Sequence, residues 1–141
     1  MASVPALAPL LEWYATLSPA SLTRIGEFYR QDARFRDPFN AVQGLAAIEA
    51  IFAHMFVATQ APRFVITDAL GEGARAYARW DFHFVLRGRP YVIHGATRFA
   101  FDAQGRVSEH RDYWDPAEEL WQKLPLIGGP TAWLRRRFSA G

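Results

Sequence analysis

The sequence contains no cysteine, which excludes disulfides, thiolate nucleophiles and cysteine-based metal sites. Lysine is nearly missing as well: Lys123 stands alone among arginines. Neither sign of charge is in excess, since 16 basic and 14 acidic residues leave a formal net charge of +2. So small a surplus gives no electrostatic footprint for nucleic acid. No apolar run is long enough to span a bilayer, and Met1-Ala2-Ser3-Val4-Pro5 lacks a basic segment followed by a long apolar core. The expectation is a soluble, cytoplasmic protein that meets no membrane; the basic end at Arg135-Arg136-Arg137 reads as a solvated helix end. There is no glycine-rich phosphate loop and no Gly-x-Ser-x-Gly elbow. His54, His83, His94 and His110 are scattered without metal-ligand spacing. Neither a metal nor another cofactor is expected.

Apolar and aromatic side chains are plentiful: half of the 141 residues are hydrophobic and 15% are aromatic. That is enough for one domain, residues 1–141, with a core of its own and aromatic surface left over for a pocket or an interface. Val4, Leu7, Leu10, Leu11, Tyr14 and Leu17 follow helical spacing. Ser18-Pro19 reads as a cap and first turn, opening a helix whose apolar face is Leu22, Ile25, Phe28 and Tyr29. Ala33 to Pro38 is a short extended segment. Beyond Gly44, a third amphipathic helix carries Leu45, Ile48, Ile51, Phe52, Met55 and Phe56. Four strands follow, at Arg63 to Leu70, Ala76 to Leu86, Tyr91 to Phe101 and Val107 to Trp114. The turns between the last three are Arg87-Gly88-Arg89-Pro90 and Asp102-Ala103-Gln104-Gly105. Asp115 reads as the cap of a final helix broken at Leu124-Pro125. Helices first and an antiparallel meander second make an α+β layout.

Chemistry is to be sought where charge interrupts these apolar strands. In the second long strand, Ala78, Trp80, Phe82 and Phe84 share one face and Arg79, Asp81 and His83 the other. Alternation by itself places Arg79 and Asp81 in water, as a solvated pair of little energetic value. The last strand has no clean parity: Ser108, His110, Asp112 and Trp114 face one way, and Val107, Glu109, Arg111 and Tyr113 the other. One face must pack, so charge there belongs to a partly buried polar network, and Asp112 has no capping role to account for it. Asp37, before Pro38, is either a turn former or a carboxylate at the end of a strand facing a pocket.

The helix order, the Arg36-Asp37-Pro38 step, the Gly44-Leu45-Ala46-Ala47-Ile48 helix start and the ending His110-Arg111-Asp112-Tyr113-Trp114-Asp115 together resemble the nuclear-transport-factor-2-like superfamily, and within it the SnoaL-like proteins. The resemblance covers nearly the whole chain. It implies a cone-shaped barrel: a strongly curved antiparallel sheet wrapped around the N-terminal helices, with an apolar pocket between them and a tendency to form homodimers through the outer sheet face. The chain is similar to the ketosteroid isomerases at Tyr14, which would stabilise an enolate oxygen, and at Asp37, which would move the proton; their second oxyanion donor falls at Thr97. It is similar to the limonene epoxide hydrolases at Arg79-Trp80-Asp81 and Asp112. This likeness implies an acid–bridge–base set of Asp81, Arg79 and Asp112, with two water-holding positions at Phe35 and Asp37. Two carboxylates sharing one arginine in an apolar pocket would differ in proton affinity and divide acid and base roles.

The resulting expectation is a cofactor-independent acid–base isomerase, cyclase or epoxide-hydrolase-like enzyme on a small apolar organic molecule. Asp112, Asp81, Arg79 and Asp37 would be catalytic, with Tyr14, Phe35, His83, Thr97, His110 and Trp114 around the substrate. The rival is a non-catalytic ligand-binding or dimerisation module of the same fold.

Overall fold

Pro19 cannot donate a backbone hydrogen bond, and a helix begins there without loss. In a computed structural model of the chain, which describes residues 4–121, Ser18 and Ser21 cap this start reciprocally. Ser18 Oγ accepts from Ser21 N at 3.1 Å and Ser21 Oγ accepts from Ser18 N at 2.9 Å. The first helix, α1, is Leu7–Ala15 and buries Leu10, Trp13 and Tyr14. The second, α2, is only Pro19–Leu22, followed by one 3-10 turn at Ile25–Glu27. Tyr29, expected on the helical stripe, instead opens strand β1, Tyr29–Arg36. The reason is tertiary: Phe28 O accepts from Val107 N at 2.7 Å, drawing the chain onto the sheet before the helix can continue.

A three-residue strand β2, Ala41–Gln43, pairs back on β1; it is too short to carry a period. Gly44, at φ +103°, turns the chain into α3, Leu45–Ala58. Strands β3 (Gln60–Glu72), β4 (Arg75–Leu86), β5 (Arg89–Phe101) and β6 (Val107–Tyr113) form the expected antiparallel meander. The β4–β5 turn is tighter than expected: Arg87 and Gly88 alone make it, with φ of +51° and +77°, so Pro90 lies within β5. At the β5–β6 turn, Asp102 Oδ1 accepts from Gln104 N and Arg106 N at 3.0 and 2.9 Å. Asp115 does cap: its carboxylate accepts from Ala117 N at 2.9 Å ahead of a wide helical turn, Ala117–Trp121. Leu124-Pro125 and the arginine run lie outside the described residues.

The sheet order is β2-β1-β6-β5-β4-β3, with β1 and β6 parallel, a departure from the wholly antiparallel expectation. Six strands laid flat would span roughly 24 Å, about twice the width of a helix. Yet α3 packs on β1 and β2 at one edge and on β3 at the other. The sheet must therefore curl around it, and it does so without closing. Leu10, Trp13, Tyr14, Ile48, Phe52 and Phe99 fill the concave side as core.

Candidate active site

The register decides which charges meet. Ala78 pairs with Thr97 and Thr97 pairs with Asp112, so these three side chains stand on one face. Ala78 and Thr97 are buried there, together with Trp80, Phe82 and Phe84. One residue along, Arg79, Ala96 and Tyr113 are paired and face the other way. Arg79 is exposed, and the half-buried Asp81 receives a bond from His94 Nδ1 at 2.6 Å on that outer side. His83 shares the outer face. The expected convergence of Asp81, Arg79 and Asp112 is thus corrected: β4 turns its apolar residues inward, because burying Arg79 and Asp81 would cost more than burying Trp80 and Phe82. Asp112 is brought instead to His110 and Thr97.

A chain of hydrogen bonds runs through the core to Asp112. Trp80 Nε1 is 2.8 Å from Thr97 Oγ1, which is 2.5 Å from Asp112 Oδ1. The indole can only donate, so the threonine hydroxyl accepts from it and donates to the carboxylate. The same Oδ1 lies 2.7 Å from His110 Nε2, and His110 Nδ1 lies 2.6 Å from Tyr29 Oη. With the carboxylate ionised, His110 holds its proton on Nε2 and Nδ1 accepts from Tyr29. Tyr14 Oη bonds Tyr29 Oη and lies 3.1 Å from His110 Nδ1. Burial pushes both phenols well above their ordinary range, and the Asp112 charge adds to this, although the Tyr14 bond works against it at Tyr29. Both tyrosines are therefore neutral donors, and every proton of the network points toward Asp112. Thr97 and His110 both donate to Oδ1, and the Asp112 side chain remains 16% exposed.

Asp37 stands at the end of β1, beyond Arg36. Its Oδ1 accepts from Phe39 N at 2.8 Å, Asn40 N at 2.6 Å and Asn40 Nδ2 at 3.1 Å, so it closes the turn before β2. It also faces the pocket, and the turn and pocket roles are therefore combined. Burial raises its pKa and the charge of Asp112 raises it further; the bonds from Phe39 and Asn40 offset part of the rise. Two carboxylates in one apolar space, one of them with its proton affinity raised, can serve as acid and base.

That space is a cavity of about 80 Å³ between α3 and the sheet. Asp37 and Asp112 face it together with Phe35, Phe39, Phe52, Phe64, Trp80, Phe82 and Trp114. Phe35 packs on His110 with ring centroids 4.5 Å apart, and Trp114 meets Phe39 edge-on at 5.7 Å. Tyr14 and Thr97 sit deeper, lining a second, smaller recess with His110 and Asp112. Of the expected substrate contacts, Phe35 and Trp114 line the cavity, Tyr14, Thr97 and His110 reach it through Asp112, and His83 does not face it. Sequence reasoning missed Tyr29, read as a helical core residue, and Trp80 as a donor to Thr97; the one signal for both was a polar tip on a buried aromatic, which needs a partner. No three His, Asp or Glu side chains among the described residues converge to hold a metal. Nor is any described helix long and apolar enough to cross a membrane.

The family model for the SnoaL-like domain matches residues 10–110. The steroid Delta-isomerase of Nocardioides simplex is 30% identical over 118 residues, covering 80% of this chain and 89% of its own. Among solved structures, a protein with a ketosteroid isomerase-like fold from Catenulispora acidiphila, in complex with trimethylamine, superposes with a TM-score of 0.72 at 17% identity, covering 88% of this chain and 96% of that one. A candidate SnoaL-like polyketide cyclase from Jannaschia sp. reaches 0.70 at 17% identity, covering 80% and 87%. The last two share the fold; the family match and the isomerase relative carry more. The chain belongs to the SnoaL-like domain family, within the nuclear-transport-factor-2-like superfamily.

Proposed function

We propose that the protein is a cofactor-independent acid–base isomerase or cyclase acting on a small carbon acid in the cavity shared by Asp37 and Asp112. The single observation that carries this reading is the pairing of an anchored carboxylate, Asp112, with a second carboxylate whose pKa burial and Asp112 have raised. Asp112 acts as base: Thr97 and His110 hold Oδ1, and the other oxygen takes the proton from carbon. Asp37 holds a proton and donates it toward the carbonyl oxygen as the enolate develops. Asp112 then returns its proton to a different carbon while Asp37 takes its own back from the oxygen, so the carbonyl is restored and no proton is lost overall. Asp37 thereby takes the acid role expected of Asp81. The cavity's aromatic walls exclude water and strengthen these interactions.

A hydrolytic reading on epoxides has less support, because Arg79 and Asp81 face outward. Pairing of two copies through the outer sheet face, where Tyr77 and Tyr113 are exposed, belongs with the proposal and is read by sedimentation.

The test uses β,γ-unsaturated ketones, a 5-ene-3-oxosteroid among them, followed by the ultraviolet absorbance of the conjugated product. Asp112→Asn is expected to lower turnover roughly a hundredfold or more, the scale of a lost general base, with its circular dichroism unchanged. Turnover equal to the wild type would overturn the assignment and leave a binding module.

A further inference from the structure

The charges around the cavity are one-sided. Among the described residues that line it, Asp37 and Asp112 are acidic, His54 on α3 is the other titratable side chain, and there is no arginine or lysine. The other walls are aromatic and aliphatic, with seven rings in all. We propose that this cavity recognises an N-methylated ammonium group on its substrate, seated against the rings with Asp112 as counter-charge. The proposal rests on the cavity being the substrate site and not on which carboxylate moves the proton.

Three observations lead there. A carboxylate in an apolar cavity is costly unless a cation accompanies it; the described lining holds no arginine or lysine, and the basic group bonded to Asp112 is the His110 imidazole. Aromatic rings attract cations through their faces, tryptophan most strongly, and Trp80 and Trp114 both stand in the wall with five phenylalanines. The third observation separates kinds of cation. A primary ammonium presents three N–H donors, each needing an acceptor. Asp37 already accepts from Phe39 and Asn40, and Asp112 Oδ1 from Thr97 and His110. Few acceptor sites remain, whereas an ammonium whose charge is spread over methyl groups needs few. A volume of about 80 Å³ suits such a head-group, with the rest of the molecule outside. A positive charge beside the reacting carbon would also make its C–H bond more acidic, which favours the transfer proposed above.

The experiment compares choline with its neutral isostere 3,3-dimethyl-1-butanol, each titrated into the full chain by calorimetry and by proton NMR. Choline is expected to bind at least tenfold more tightly, with its methyl resonances moved upfield by the ring currents. Asp112→Asn is expected to cut that preference at least fivefold while the affinity for the neutral isostere and the melting temperature stay within error. Should Asp112→Asn fail to fold, Trp114→Leu removes a ring from the wall and is expected to lower the same preference at least threefold. Equal or tighter binding of the isostere, no binding of either probe, or an unchanged preference in the folded variant would overturn the proposal. The enone assay contains no cation, so failure of the acid–base reading would show there independently.

Discussion

The indole of Trp80 lies against the bare backbone of Gly95, its register partner on β5. A Cβ on Gly95 would stand 2.6 Å from Trp80 Cζ2, closer than real contacts allow. That missing side chain lets the indole reach across the strand and place Nε1 on Thr97. Gly95→Ala is therefore expected to cost about 1–3 kcal/mol by overpacking and to displace the tryptophan. Denaturant unfolding measures the first effect; a shift in tryptophan emission with reduced turnover measures the second.

Tyr14 and Tyr29 should not be equivalent. Tyr29 donates to His110 Nδ1 at 2.6 Å, whereas Tyr14 stands behind it at 3.1 Å. Tyr29→Phe leaves a buried acceptor poorly satisfied, at an expected cost of about 1–3 kcal/mol. Tyr14→Phe keeps the Tyr29 donor, and its expected cost is about 1 kcal/mol. Paired denaturation curves check the order; equal losses would mean that Tyr14 is itself the donor to His110.

Asp37 gives the folded protein a specific pH dependence. Its pKa is raised on folding, chiefly by burial and then by Asp112. The folded state therefore keeps this proton at pH values where the unfolded chain has released it. The corresponding stability is fully present below the ordinary aspartate range and is lost as pH rises through the raised value. Asp37→Asn carries no such proton, so wild-type stability relative to this variant should fall as pH climbs above that range. Unfolding free energies of both proteins across mildly acidic to neutral pH give the comparison, and parallel curves would contradict it.

On the outer face, Arg79→Ala and Asp81→Asn are expected to leave turnover within about twofold of wild type. The Asp81–His94 pair is partly exposed, with side-chain exposures of 30% and 58%, and pairs of that kind contribute about 0–1 kcal/mol. Loss of turnover comparable to Asp112→Asn would mean that these residues reach the chemistry after all.

Much of the fold was legible in the sequence. Pro19 and Ser18 mark a helix start, Gly44 marks another, and the period-two pattern of Ala78, Trp80, Phe82 and Phe84 marks one buried strand face. Tyr29 was misread because Leu22, Ile25 and Phe28 also fit a helical period; the pairing with β6 that overrides it involves residues about 80 positions away. The site was legible in part. Asp112, His110, Asp37, Tyr14 and Thr97 are singled out and are brought together, whereas Arg79 and Asp81 rest on a resemblance in local sequence and His83 shares their outward face.

The division has a physical basis. Alternation within a strand fixes which residues share a face, and the sequence by itself determined that Arg79 and Asp81 travel together, as do His110 and Asp112. It also determined that Arg79 and Asp81 oppose Trp80. Which face of one strand meets which face of the next depends on register, and register comes from the turns and from core packing across the whole sheet. The pairings Ala78–Thr97 and Thr97–Asp112 settled that. They put Asp112 on the apolar side, where it faces the cavity with Asp37, and left Arg79 and Asp81 on the outer face.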